Sequence, residues 1–181
     1  ARSRLGSRAP GYAAVVFGLP FAETTRTDTM ATDGKSIFWS REFVQKIDDR
    51  EIMGVLMHEG LHVMLGHHLR RGNINPQLWN VACDYAINIV VKEGEGEGDA
   101  EGQPTGFDQA GEIWDAVDDD GEALSEAERQ QAEETLKRDI IVAAAAEKAA
   151  GSGSITIDDG ILDSAKAAHV DWLEAMADFL D

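Results

Sequence analysis

The sequence has few of the residues that build disulfide frameworks, thiolate metal sites or nucleic-acid-binding surfaces. It contains one cysteine, Cys83, which excludes an intramolecular disulfide and a metal site made of several thiolates. Lys and Arg number 16 against 34 Asp and Glu, and the net charge of −18 argues against electrostatic binding of nucleic acid or anionic lipid. No apolar run approaches the roughly 20 residues of a transmembrane helix, so no membrane association is expected. The lone cysteine is compatible with a reducing cytoplasm, which we predict as the location.

Length and composition favour one folded unit. With 181 residues, of which 43% are hydrophobic, the chain can bury a core and fits a single domain over 1–181. Residue patterns change along the chain and divide this domain into four regions. These are a β-region over 12–40, a pair of helices over 49–92, a mobile acidic loop region over 93–122, and C-terminal helices over 123–181.

The β-region contains two short runs rich in β-branched and aromatic residues. The runs at 11–17 and 36–39 predict strands. Residues 32–35 between them have the composition of a tight turn, because Gly34 can adopt the positive φ that such turns need. We therefore expect a small antiparallel sheet, in which 36–39 is an edge strand.

Two helices follow the β-region. From Asp49 onward, apolar residues recur at three- and four-residue spacing, which predicts a helix that ends near Arg70 and Gly72. Pro76 then opens a second helix, over about 77–92.

The second half of the chain is more acidic and less regular. Alternating Glu and Gly from Glu93 to Asp99 cannot bury apolar area, so a mobile loop is expected there. A short helix is predicted near 112–117. Ser125 and Glu128 form a capping-box pattern that starts a long helix to about residue 150, and a last helix is predicted over 164–180.

Two histidines four residues apart carry the chemistry that the sequence predicts. On a helix, His58 and His62 project from the same face, so their imidazoles can bind one tetrahedral Zn²⁺. Glu59 lies about 100° around the helix, from where its carboxylate can reach a metal-activated water. It can take a proton during attack on a peptide carbonyl and pass it to the leaving amine. The pattern therefore predicts peptide hydrolysis with Glu59 as general base.

The alternative interpretation is a helix with two core histidines and an exposed glutamate. However, the motif lies between the apolar segments 54–57 and 63–65, so its helix should be buried. A buried polar group without a partner costs about 1–3 kcal/mol, and a shared cation would remove that cost. Four of the five histidines fall within 58–68, which also favours a metal site.

The third metal ligand has two candidates. His68 stands ten residues after His58, as in an extended zinc motif, but that motif needs a glycine where this chain has Leu65. His67 and His68 could instead face solvent in the last turn of the helix, where cations suit the helix dipole. Asp84 on the second helix is favoured, because an acidic group in a packed helix needs a partner. Asp84 could also hydrogen-bond a ligand histidine without contacting the metal.

The motif and the helix after it resemble a known family, the metallopeptidase domain found at the N-terminus of bacterial and phage VWA-like proteins. The resemblance covers most of the sequence from residue 28 to residue 92, together with the last helix. The segments that carry it are 31–35, 58–62, 66–67, 70–71, 78–88 and 170–180.

The resemblance implies a metal site in which Asp84 is the third ligand beside His58 and His62. It also implies a peptide or protein substrate, and a VWA-like domain or an AAA+ ATPase as a partner. We predict an α+β, zincin-like fold, mainly helical, with a small antiparallel sheet packed near the motif helix. The predicted function is Zn²⁺-dependent peptide hydrolysis, and the alternative is a zinc-binding scaffold or acidic interaction domain without proteolytic activity.

Overall fold

The computed structural model describes residues 2–94 and 111–151, which form an α+β arrangement that is mainly helical. The helices are α1 (Arg2–Arg8), α2 (Pro10–Gly18), α3 (Arg41–Lys46), α4 (Asp49–Met64), α5 (His67–Arg70), α6 (Pro76–Gly94) and α7 (Glu126–Ala150). The strands are β1 (Phe21–Glu23), β2 (Met30–Thr32), β3 (Ile37–Trp39) and β4 (Glu112–Ile113). The predicted last helix over 164–180, residues 95–110 of the loop region predicted over 93–122, and the predicted domain boundary at residue 181 lie outside the described ranges.

Helix α4 carries the His-Glu-x-x-His motif and is fixed at both ends by local signals. The Asp48 side chain accepts hydrogen bonds from the backbone N–H groups of Arg50 and Glu51, and the Glu51 carboxylate accepts one from the Asp48 N–H. This capping box starts the helix. The helix stops at Met64 because Gly66 adopts a left-handed conformation, with φ of 66°. The prediction of one continuous helix to Arg70 was therefore wrong.

Residues 11–17 form most of helix α2, so the strand predicted there was wrong. Pro10 occupies the first turn of this helix, where its fixed φ suits helix initiation. Helix α2 contacts both α4 and α7 and is buried around most of its circumference. A helix buried on several sides is apolar throughout, and its short sequence then has the composition of a buried strand.

The sheet has the strand order β1-β3-β2-β4 and is mixed, which corrects the prediction of an antiparallel sheet. Only β2 and β3 pair antiparallel, through the predicted turn at 32–35, while β1 pairs parallel with β3 and β4 pairs parallel with β2. Strand β3 was predicted to be an edge strand, but it lies between β1 and β2. The long connection that brings β4 beside β2 could not be predicted from local patterns.

The region after the acidic loop also differs from expectation. Residues 112–113 form strand β4 and Val117 pairs with Ala123, so the short helix predicted near 112–117 is absent from this described segment. The capping box of Ser125 and Glu128 is confirmed, and α7 ends at the left-handed Gly151.

The core surrounds α2 and α4. Helix α4 contacts α2 and α7 on one side, and β2, α5 and α6 elsewhere, so the motif helix is buried between the helical body and the sheet. The fully buried core side chains include Leu5, Val16, Ile37, Leu61, Met64 and Ile87. Within the described residues, none of the helices combines the length and apolarity needed to cross a membrane.

The turn between β2 and β3 packs directly against His68. Gly34 has φ of 80°, and a Cβ atom at this position would overlap the buried His68 ring. Gly121 has nearly the same φ, 82°, but open space around it. Gly34→Ala should therefore lower the free energy of unfolding through two effects. Backbone strain should cost about 1–2 kcal/mol, and overpacking against His68 should cost about 1–3 kcal/mol more. Gly121→Ala should cost only the backbone strain. If urea denaturation gave the same loss of stability for both variants, the proposed overlap between Gly34→Ala and His68 would be wrong.

Candidate metal centre

The two motif histidines converge on one point from adjacent turns of α4. The Nε2 atoms of His58 and His62 are 3.0 Å apart, and both residues are almost fully buried. This placement follows from the four-residue spacing on a helix, which was the basis of the sequence prediction.

Asp84 of α6 completes a three-residue cluster. Its Oδ1 atom lies 3.1 Å from the Nε2 atom of His58 and 3.1 Å from that of His62. The Asn80 side-chain N–H₂, one turn earlier on α6, donates to the other oxygen, Oδ2, at 3.1 Å. These three residues form a group whose ligand atoms are close enough together to hold one metal ion.

The spacing of the three donor atoms suits a small tetrahedral cation. An ion with bonds of about 2.0–2.1 Å separates its ligand atoms by about 3.3 Å, close to the observed 3.0–3.1 Å. If both Nε2 atoms donate to Asp84, the two N–H groups oppose each other, and a shared cation removes the conflict.

The protonation of the cluster also suits a cation. Burial lowers the pKa of His62 to about 4, so its imidazole is neutral at pH 7, as a metal ligand must be. Burial alone would raise the pKa of Asp84, but hydrogen bonds from His58 and His62 outweigh it and hold this pKa below its usual value. The cluster thus presents a neutral His62 imidazole and an ionised Asp84 carboxylate to a cation.

Glu59 lies beside the cluster and is completely buried. Both of its carboxylate oxygens lack a hydrogen-bond partner among the described residues. Burial raises the pKa of this carboxyl well above its usual value, and the nearby negative charges of Asp84 and Glu112 raise it further. Gly111 covers the carboxylate so closely that a Cβ atom there would overlap Oε1.

Comparison with known families is consistent with this geometry. The family model described as "Putative metallopeptidase domain" matches residues 1–95, just over half of the 181-residue chain. The chain belongs to this family. No curated protein and no solved structure is similar enough to count as a match.

The metallopeptidase family match includes His58, Glu59, His62 and Asp84 but ends before Gly111. The cluster and its neighbouring glutamate therefore lie in the part of the chain that the family model covers. The strand β4 segment that covers Glu59 comes from outside the matched region.

Two further histidines of this metallopeptidase-family chain are buried, which corrects the alternative that they face solvent. His67 has no exposed surface, and its Nδ1 atom lies 2.9 Å from Nδ1 of His62. His68 is 8% exposed and packs against the Gly34 turn. The group that could hold a metal, as found within the described residues, contains Asp84 and not His68.

Sequence analysis missed how Asn80 and Gly111 act together. Asn80 donates to the Gly111 carbonyl at 3.2 Å and accepts from the Ile113 N–H at 2.8 Å, while also bonding Asp84. Asn80 therefore connects the cluster to strand β4. The four-residue spacing between Asn80 and Asp84 can be read from the sequence and places both on one face of a helix. The bonds of Asn80 to the backbone of the β4 segment cannot be predicted from the sequence.

Proposed function

We propose that this chain is a zinc-dependent metallopeptidase that hydrolyses peptide bonds. The observation that carries the proposal is the convergence of His58, His62 and Asp84 beside Glu59, in a chain that belongs to a metallopeptidase family. The contact of α4 with β2 supports the finer proposal of a zincin-like arrangement, in which a sheet lies next to the motif helix.

We assign Asp84 as the third ligand, because it lies on the ligating side of both imidazoles. A carboxylate that only orients a ligand histidine bonds the ring nitrogen that faces away from the metal. Asp84 instead approaches Nε2 of His58 and Nε2 of His62, the two atoms that also approach each other. Two imidazoles and one carboxylate are an accepted donor set for catalytic zinc, and leave a fourth position for water or substrate.

Bound zinc would supply Lewis acidity, which polarises a peptide carbonyl and makes the attacking water more acidic. The Glu59 carboxylate accepts the proton that the water loses and then donates it to the leaving amine nitrogen. Because burial raises the pKa of Glu59, its carboxylate holds a proton more readily than an exposed glutamate does. Glu59 has no exposed surface, so this proton transfer would take place away from bulk water.

The first test is the metal content of the purified full chain. Elemental analysis should find about one zinc per wild-type chain and little or none in His58→Ala. The matched control is His68→Ala, which removes a buried imidazole from the same segment but outside the cluster. Equal zinc content in all three proteins would place the metal elsewhere.

One observation favours a second candidate function, a zinc-binding scaffold without proteolytic activity. Glu59 has no exposed surface, and Gly111 lies directly over its carboxylate. In such a scaffold the metal would stabilise the contact between α4 and α6. Zinc binding without cleavage of any member of a mixed peptide library, followed by mass spectrometry, would support this function.

A further inference from the structure

The side chain of His67 makes a direct hydrogen bond to one of the two motif histidines. The Nδ1 atoms of His67 and His62 are 2.9 Å apart, and neither residue has exposed surface. The other nitrogen of His62, Nε2, faces His58 and Asp84. His62 is therefore held at both ring nitrogens.

The hydrogen bond between the two Nδ1 atoms restricts where the protons lie. One nitrogen must donate and the other must accept, because a neutral imidazole carries one proton on its ring. If Nε2 of His62 is to bind a cation, it must be free of its proton, which then resides on Nδ1. His67 consequently accepts at Nδ1 and carries its own proton at Nε2.

We propose that His67 is a positioning residue that selects the metal-binding tautomer of His62 and fixes the orientation of its ring. The proposal rests on the metal site proposed above. A ring nitrogen that accepts from the far side of a ligand histidine makes that ligand more basic and prevents its rotation. In many sites a carboxylate or backbone carbonyl has this role, and here a second neutral imidazole has it.

The fold holds His67 in place through two independent features. The left-handed Gly66 ends α4 and starts α5, which turns His67 back toward the cluster. The Trp79 indole N–H donates to the His67 backbone carbonyl at 3.1 Å, and the two rings meet edge to face at 6.0 Å. Helix α6 thus carries both the ligand Asp84 and the anchor of His67.

The test compares two substitutions of similar size. His67→Asn places an amide oxygen near the position of Nδ1 and can still accept from His62, whereas His67→Leu fills the space without an acceptor. We expect zinc affinity, measured by competition with a chromophoric chelator, to fall about 10–100-fold in His67→Leu. In His67→Asn it should stay near the wild-type value. The Co²⁺ absorption spectrum should change only in His67→Leu.

Several outcomes overturn the proposal. Equal zinc affinity in wild type and His67→Leu would show that the hydrogen bond does not matter. Equally weak binding in both variants, with unchanged unfolding of the metal-free proteins, would show that His67 acts by packing alone. Wild type that binds no zinc would overturn the metal site itself, and so both proposals together.

A measurement on the unmodified protein remains decisive if a variant fails to fold. Long-range ¹⁵N–¹H NMR of the zinc-loaded chain reports the tautomer of each imidazole. The expected pattern is a proton on Nδ1 of His62 and on Nε2 of His67. The opposite pattern at His67 would overturn the proposal.

Discussion

Replacing Glu59 by Gln is expected to abolish peptide hydrolysis while leaving zinc binding intact. The amide has the shape of the carboxyl group but cannot accept the proton of the attacking water, and general base catalysis contributes about 10²–10⁴-fold to such rates. The variant should fold, because the amide keeps the shape of the carboxyl group and because burial, which raises the pKa of Glu59, already disfavours a charge at this position. Cleavage of a peptide library and zinc content, measured on the same preparations, check both parts of this result.

Glu112→Gln is the matched control for that experiment. It removes a neighbouring negative charge that acts on Glu59, but it leaves the proposed base in place. Most of the hydrolytic activity should remain. If Glu59→Gln were as active as wild type, Glu59 would not be the base, whereas zinc loss in that variant would assign Glu59 a structural role.

Asp84→Ala should weaken zinc binding by more than the roughly 10–100-fold that is typical for residues outside the ligand set. The substitution removes one of three donor atoms and leaves His58 and His62 to hold the ion alone. It should also remove the stabilisation that zinc gives to the folded state, about 2.7 kcal/mol at a zinc concentration 100 times the dissociation constant. Chelator competition and thermal unfolding with and without zinc measure the two effects.

Asp115→Ala provides the comparison for Asp84→Ala. Asp115 is an exposed carboxylate that pairs with Arg71 and lies outside the cluster. Its removal should leave zinc affinity unchanged. Wild-type affinity in Asp84→Ala, combined with a large loss in His68→Ala, would instead identify His68 as the third ligand.

The parts of the fold that could be predicted depend on local signals. The capping box at Ser125 and the turn at 32–35 are encoded within a few residues, and both predictions are confirmed. The helix predicted from Asp49 begins at that residue. The segment 11–17 was predicted incorrectly because its apolar composition reflects burial against α4 and α7, which are distant in sequence. The parallel pairing of β4 with β2 also depends on a long connection.

In the candidate site, too, local patterns predicted some residues, while others depend on packing between distant segments. His58, Glu59 and His62 could be found because their spacing on one helix determines their directions. Asp84 and His68 remained alternatives, because the outcome depends on how α6 packs and on the helix break at Gly66. No pattern in the sequence indicated that His67 would turn inward to contact His62.

The bonds of Asn80 to strand β4 have a consequence for ligand affinity. The Glu59 carboxylate has no exposed surface and lies directly under Gly111, so we expect a ligand to contact it in molecules in which Gly111 has moved away. The measured affinity then equals the intrinsic affinity multiplied by the population of open chains. An open population of roughly one in a hundred would weaken binding by about 2.7 kcal/mol. Because Asn80 bonds both Gly111 and Ile113, the strength of these bonds would set that population, and thereby how tightly a ligand is held.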